Sequence, residues 1–410
     1  MTGNKLNILL LDDDTTRAQE WAKKISEMTG FDAIAPDKKG VLDIISVLFN
    51  RRREGRLNGK KFWTIECPLL DSADLLIIDY DLQNLDANGE WTTGSEVAYA
   101  VRLVSRAKEI IVINQRGSNR FDLTMVKAAD SRADLDIGGV QLTNPGLWKS
   151  SDFRGYRPWH WPNLTQEPNR IQQSVAYVFE NLDKPILECL GFSEDFSSGR
   201  ALRPEVWGKL CADKKTTFRN LVVAAKEEQS IHLLYADVAI FKDDENLIAS
   251  ISCSILRRWL EKWVLPNQDI LCDIPHLALK HPWIVKEYDK EASWHTLETL
   301  EESKALIDEC EQFKFSVQQL FSRPVYWGEQ IDLMSDKLRP NDFDYSTVPG
   351  LVFREDVSNF GSPDESRDYP SQVLSIDNRR WVSDPDYQEI TGGSEDVHTV
   401  VFEPQSLLLS

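Results

Sequence analysis

Apolar runs of strand length recur through the first third of the chain, and the polar residues that end them are acidic. Ile8-Leu9-Leu10-Leu11 stops at Asp12-Asp13-Asp14, and Leu75-Leu76-Ile77-Ile78 stops at Asp79-Tyr80-Asp81. Unbroken apolar runs, rather than alternating ones, mark parallel strands buried on both faces. Between them the spacing becomes helical. Thr15 or Thr16 caps a helix through about Met28, on which Ala18, Trp21, Ala22 and Ile25 share one face. A short strand at 31–34, helices at 40–53 and 95–106, a fourth strand at 110–113 and a fifth at 139–142 complete an alternating α/β series over residues 5–145.

In an open parallel sheet, ligands sit beyond the carboxyl ends of the strands. Two such strands side by side would crowd Asp12, Asp13 and Asp79 into one pocket. Carboxylates packed together raise one another's pKa, so such a cluster calls for a cation. Hard oxygen donors suit Mg²⁺.

These residues resemble the receiver domain of bacterial response regulators, and the fold class this implies is a flavodoxin-like, doubly wound sheet of five parallel strands in the order 2-1-3-4-5, which sets strands one and three side by side. The resemblance implies that Asp12 and Asp13 are the metal-binding pair and that Asp79 is the phosphoacceptor for a partner kinase. It also implies that the backbone carbonyl of Asp81 is a further metal contact and that Mg²⁺ is the cofactor. Three departures accompany it. The fourth strand ends in Asn114, where the family has Ser or Thr. No Lys occurs between Lys127 and Lys149, so Thr143 or Asn144 stands where the family's Lys would be. Residues 87–93 form an insertion before Gly94. Metal binding with poor or absent phosphorylation is therefore the expectation. A haloacid-dehalogenase reading of Asp79-Tyr80-Asp81 meets Gln83 where that family has Thr or Val.

The remainder divides into an aromatic, proline-bearing linker at 151–168, a mainly helical unit at 169–340 and an acidic irregular segment at 341–410. Trp159-His160-Trp161 between Pro158 and Pro162 forbids regular helix, and either packs the two units together or forms a ligand platform. Helical spacing marks residues 171–190, 204–228, 246–265 and 294–321. In the third of these, Ile248, Ile251, Ile255, Trp259 and Trp263 share a face. Short β-like runs appear at 351–353, 380–382 and 399–402. The six basic residues of 51–61 read as a solvated helix end or as a dock for an acidic segment.

Charge then narrows the partners. Residues 1–150 hold 20 Lys and Arg against 22 Asp and Glu, whereas residues 151–410 hold 27 against 44, so −17 of the net −19 lies in the second part. Duplex DNA binding needs cations against the phosphates, which excludes an ordinary DNA-binding output. A protein partner or a homodimer is expected, docking through the Trp259 and Trp263 face or through Leu407 to Leu409. No apolar run reaches the roughly 20 residues of a membrane span. With six scattered Cys and no signal-peptide pattern, the expected location is the cytoplasm. Two functions fit: a signalling protein whose receiver-like unit is coupled to a protein-binding output, or a receiver-regulated enzyme with polar side chains converging among Asp269, Asp273, His276 and His281.

Overall fold

The computed structural model describes residues 5–28, 30–59, 64–82, 85, 93–113, 132–137, 142, 145–148, 164, 167–223, 237–298, 304–355, 357–369 and 380–383. Asn114, Thr143, Asn144, the aromatic linker around Trp159 and the Leu407 to Leu409 run lie outside these residues. Strands β1 (Leu6–Leu11), β2 (Phe31–Ile34), β3 (Leu75–Asp79), β4 (Glu109–Ile113) and β5 (Leu135–Ile137) form one all-parallel sheet in the order β2-β1-β3-β4-β5. The register sets Leu11 beside Ile78 and Asp79 beside Ile113, so β1 and β3 end level with each other.

Alternate side chains of these strands feed two cores. Ile8, Leu10, Leu75, Ile77, Ile111 and Ile113 face helix α1 (Thr15–Ser26), where Trp21, Ala22 and Ile25 meet them together with Phe31 and Trp148. Leu9, Leu11, Leu76, Ile78, Ile110 and Val112 face α2 (Lys38–Asn58) and α3 (Gly94–Val104). Helices thus cover both faces, as the unbroken apolar runs require. The second core continues into the helical part through Val178 of α4 (Glu167–Glu180) and Ile248, Ile251 and Ile255 of α5 (Glu245–Trp259).

Several sequence expectations are corrected here. The fifth strand of the sheet is Leu135–Ile137, where a carboxylate, Asp136, breaks the apolar run yet is itself buried; residues 139–141 of the expected strand lie outside the described residues. No long helix spans 294–321. Glu291–His295 is followed by short 3₁₀ turns at Thr296–Glu298, Asp308–Phe313 and Gln318–Leu320. The backbone N–H of Ile307 donates instead to the Ile284 carbonyl and that of Lys286 to Ala305, so the chain there runs extended beside a neighbouring segment. Within 204–228 the described helices are only Pro204–Trp207 and Phe218–Val223.

The Trp259 face is not an external dock. Trp259 is buried in the chain's own core, and its Nε1 donates to the Val206 carbonyl at 2.9 Å. Beyond α5, β6 (Leu271–Asp273) pairs antiparallel with β7 (Val325–Trp327), flanked by α6 (Ile274–Lys280) and α7 (Gly328–Leu338). Within the segment expected to be irregular, β8 (Val352–Arg354), β9 (Asn359–Gly361), β10 (Ser366–Tyr369) and β11 (Arg380–Ser383) make a four-stranded sheet, order β10-β11-β8-β9. Among the described residues, no helix is long and apolar enough to cross a membrane.

The described part of the basic stretch continues α2: Arg51, Arg52 and Arg56 pair inside the molecule, Arg53 is exposed, and Lys60 and Lys61 lie outside the described residues. Arg51 is fully buried and holds Asp71 at 2.7 Å. Arg52 donates twice to Asp237 at 3.0 Å, Arg56 also pairs with it, and Tyr99 of α3 donates to it at 2.9 Å. Burial opposes charge on Asp237, but these donors hold its carboxyl below the usual range.

Candidate acidic metal centre

Asp12 follows β1 and is buried; Asp79 closes β3 and is buried as well; Asp13 is half-buried between them. One carboxylate oxygen from each lies within 4.8 Å of the others, so the three can share one cation. The chain is turned at this point by two aspartates in series. The backbone N–H of Asp14 donates to Asp12 Oδ1 at 2.8 Å, and Asp14 in turn caps α1 by accepting from the Arg17 backbone N–H at 3.1 Å.

Gly94 seats the first turn of α3 against the other strand end. Its N–H donates to the Tyr80 carbonyl at 2.9 Å, and a Cβ there would lie 2.7 Å from Tyr80 Cα and closer still to the Asp79 carbonyl oxygen. Only glycine permits that approach. Thr93 caps the helix with Glu96 in a reciprocal pair and forms an isolated antiparallel bridge with Asp81. The backbone N–H of Asp81 donates to the Asp79 carboxylate.

Arg17 enters the same cluster from α1. Its Nη2 donates to Asp12 Oδ1 at 2.8 Å and to Asp79 Oδ2 at 2.6 Å, while Nε donates to Asp12 Oδ2 at 3.1 Å. The guanidinium carbon lies 5.1 Å from the centre of the Trp21 ring. Burial and the charge of Asp12 nevertheless outweigh Arg17 at Asp79, whose carboxyl is pushed up to about 7. Burial also raises the carboxyl of Asp12, against its bonds to Arg17 and Asp14.

The structure therefore brings together Asp12, Asp13 and Asp79 as the sequence predicts, with Asp81 two residues beyond Asp79; Asn114, Thr143 and Asn144 lie outside the described residues. Sequence reasoning missed Arg17. Its signal was a lone cation one turn into a helix that begins at an acidic strand end.

The sequence also missed a second charged cluster, at the opposite ends of the strands where the sheet meets α4 and α5. Arg102 of α3 holds Asp134 at 2.6 Å, and Arg257 of α5 lies 3.8 Å from Asp134 and 3.2 Å from Glu167, which also pairs with Arg170. Arg102 and Arg257 overcome the burial of Asp134 and keep its carboxyl below the usual range. Glu109, the first residue of β4, is fully buried beside them, and neither carboxyl oxygen has a hydrogen-bond partner. Burial, then Glu167 and Asp134, hold its carboxyl well above the ordinary range.

Of the four residues considered for an enzyme centre, Asp273 and His276 meet, whereas Asp269 and His281 pair elsewhere. His276 bridges Asp273 at 2.6 Å and Glu355 at 2.7 Å, with Arg323 on Asp273 at 2.7 Å, all buried. Asp269 instead faces Arg203 at 3.6 Å, and His281 faces Asp332 at 2.7 Å. The network ties α6 to the sheet of β8 and β9. No protein-family model, curated protein or solved structure matches the chain.

Proposed function

We propose that the protein is a signalling protein in which a flavodoxin-like, receiver-like unit carrying a Mg²⁺-dependent acidic pocket is coupled to an acidic output that binds a protein partner. The observation that carries this reading is the meeting of Asp12, Asp13 and Asp79 at the level ends of two adjacent parallel strands. A set of hard carboxylate oxygens fits Mg²⁺, which accepts one or two carboxylates and keeps its waters. Asp12, Asp13 and Asp79 would hold it, with the Asp81 carbonyl as a further contact. When bound, the ion supplies positive charge that neutralises an approaching anionic group.

The pocket acts as a docking element rather than a phosphorelay. Asn114, Thr143 and Asn144 replace the hydroxyl and ammonium that stabilise a phosphoryl group, whose charge of about −1.5 to −2 would otherwise sit among carboxylates. The surplus of acidic residues after position 150 favours a basic protein surface as partner.

Incubation of the full chain with acetyl phosphate and MgCl₂, followed by intact mass measurement, tests the proposal. No stable phosphoryl adduct is expected. An adduct that forms readily and disappears in Asp79→Asn would show a working phosphorylation switch and overturn the docking reading.

A further inference from the structure

We infer that Arg17 is the resident cation of the acidic pocket, so that a divalent metal enters only as the Arg17 guanidinium withdraws. The inference rests on the metal reading of Asp12, Asp13 and Asp79.

The guanidinium is built into the pocket rather than lying across it. It takes both oxygens of Asp12 and one of Asp79, so a single side chain bridges β1 and β3. A planar fork matched to carboxylate geometry makes such pairs strong and directional. Two neighbours hold it there. Trp21, one turn further along α1 and buried, presents its ring at 5.1 Å, a cation–π distance. Asp14 fixes the backbone from which the side chain departs, by accepting from the Arg17 N–H.

A metal and this guanidinium exclude each other. Mg²⁺ binds carboxylate oxygens at about 2.0–2.1 Å, and it would have to share Asp12 oxygens that already accept Arg17 N–H bonds. It would also place two positive charges against a third. Withdrawal has an open route, because the Arg17 side chain keeps 30% of its surface exposed. The pocket then works as a two-state element: closed on its own arginine, or open to a divalent ion. If the arginine occupies the pocket in nine molecules of ten, only a tenth are competent, and the apparent Mg²⁺ affinity falls about tenfold.

Calorimetric titration of MgCl₂ into the full-length protein tests this on four chains: wild type, Arg17→Gln, Asp79→Asn, and Arg17→Gln with Asp79→Asn. Thermal melts in EDTA establish that each is folded, and Arg17→Met, which also removes the charge, replaces Arg17→Gln if the latter is not. The expected result is weak binding by wild type, binding at least about tenfold tighter by Arg17→Gln, and loss of that binding in the double variant. Equal affinity in wild type and Arg17→Gln would overturn the role of Arg17 and leave the metal reading standing. Absence of binding in both overturns the metal reading, and the inference falls with it. Tight binding that survives Asp79→Asn would place the metal elsewhere and overturn the inference as well.

Discussion

Two charged clusters bracket the parallel sheet, one at each end of its strands, and they differ in what balances them. At the carboxyl ends, Asp12, Asp13 and Asp79 gather about one guanidinium whose side chain is partly exposed. At the amino ends, Glu109, Asp134, Glu167 and Glu261 meet Arg102, Arg170 and Arg257, all interleaved between secondary-structure elements. There the arginines are interleaved with the carboxylates, and burial holds Glu109 toward its neutral form. The first cluster is open to exchange with a cation from solution; the second settles its balance internally and joins the sheet to the helices. Similar residues thus make a site in one place and a joint in the other.

The comparison breaks most directly at the joint. Replacing Arg257 by Ala leaves Asp134 and Glu167 buried with fewer partners, and loss of one side of a buried pair costs about 3–5 kcal/mol. Urea unfolding at pH 7 should show that loss; a change within experimental error would mean the joint is not structural.

Asp79→Asn should act in the opposite sense. A carboxyl raised to about 7 in the folded protein, against 3.8 as its ordinary value, favours folding while protonated. That contribution is complete below about pH 4 and is lost as pH rises toward 7. The amide should therefore stabilise metal-free protein by on the order of 2 kcal/mol at pH 8 and by nothing at pH 3.5. Denaturant midpoints across pH decide it, and a constant difference between the two chains would contradict it.

Glu109→Gln sharpens the contrast. Its carboxyl is also raised, so the acid favours folding below the ordinary glutamate range and progressively less above it. The amide should gain about 1 kcal/mol at pH 8, less than desolvation alone suggests because it buries new donors. No response to Mg²⁺ is expected, in contrast to Asp79→Asn. The smallest effect belongs to Arg17→Gln in EDTA, under about 1 kcal/mol, since one partner of that ion pair is partly solvated. A larger loss in thermal melts would make Arg17 a structural residue first.

Much of the first unit was legible because parallel strands announce themselves. The runs ending at Asp12 and Asp79 marked two strands, and the strand order implied by the resemblance set them side by side, as the sheet shows. β5 was hidden by Asp136, a buried carboxylate in a three-residue strand. The 294–321 segment deceived because Leu297, Cys310 and Phe313 recur at spacings that 3₁₀ turns satisfy as well as an α-helix does. Arg17, Arg102 and Arg257 were illegible for another reason. A cation on a helix reads as solvent-facing, and only the tertiary structure supplies the carboxylates that draw it inward.

The glycine at the start of α3 has a mechanical meaning. Gly94 is pressed against the Asp79 and Tyr80 backbone, and eleven residues make α3 a rod about 16 Å long. Tyr99 in its middle grips Asp237, and Arg102 in its last turn grips Asp134. With a Cβ-less contact at one end and side-chain bonds at its middle and last turn, α3 is a strut that joins the carboxyl end of β3 to the cluster at the amino ends of the strands.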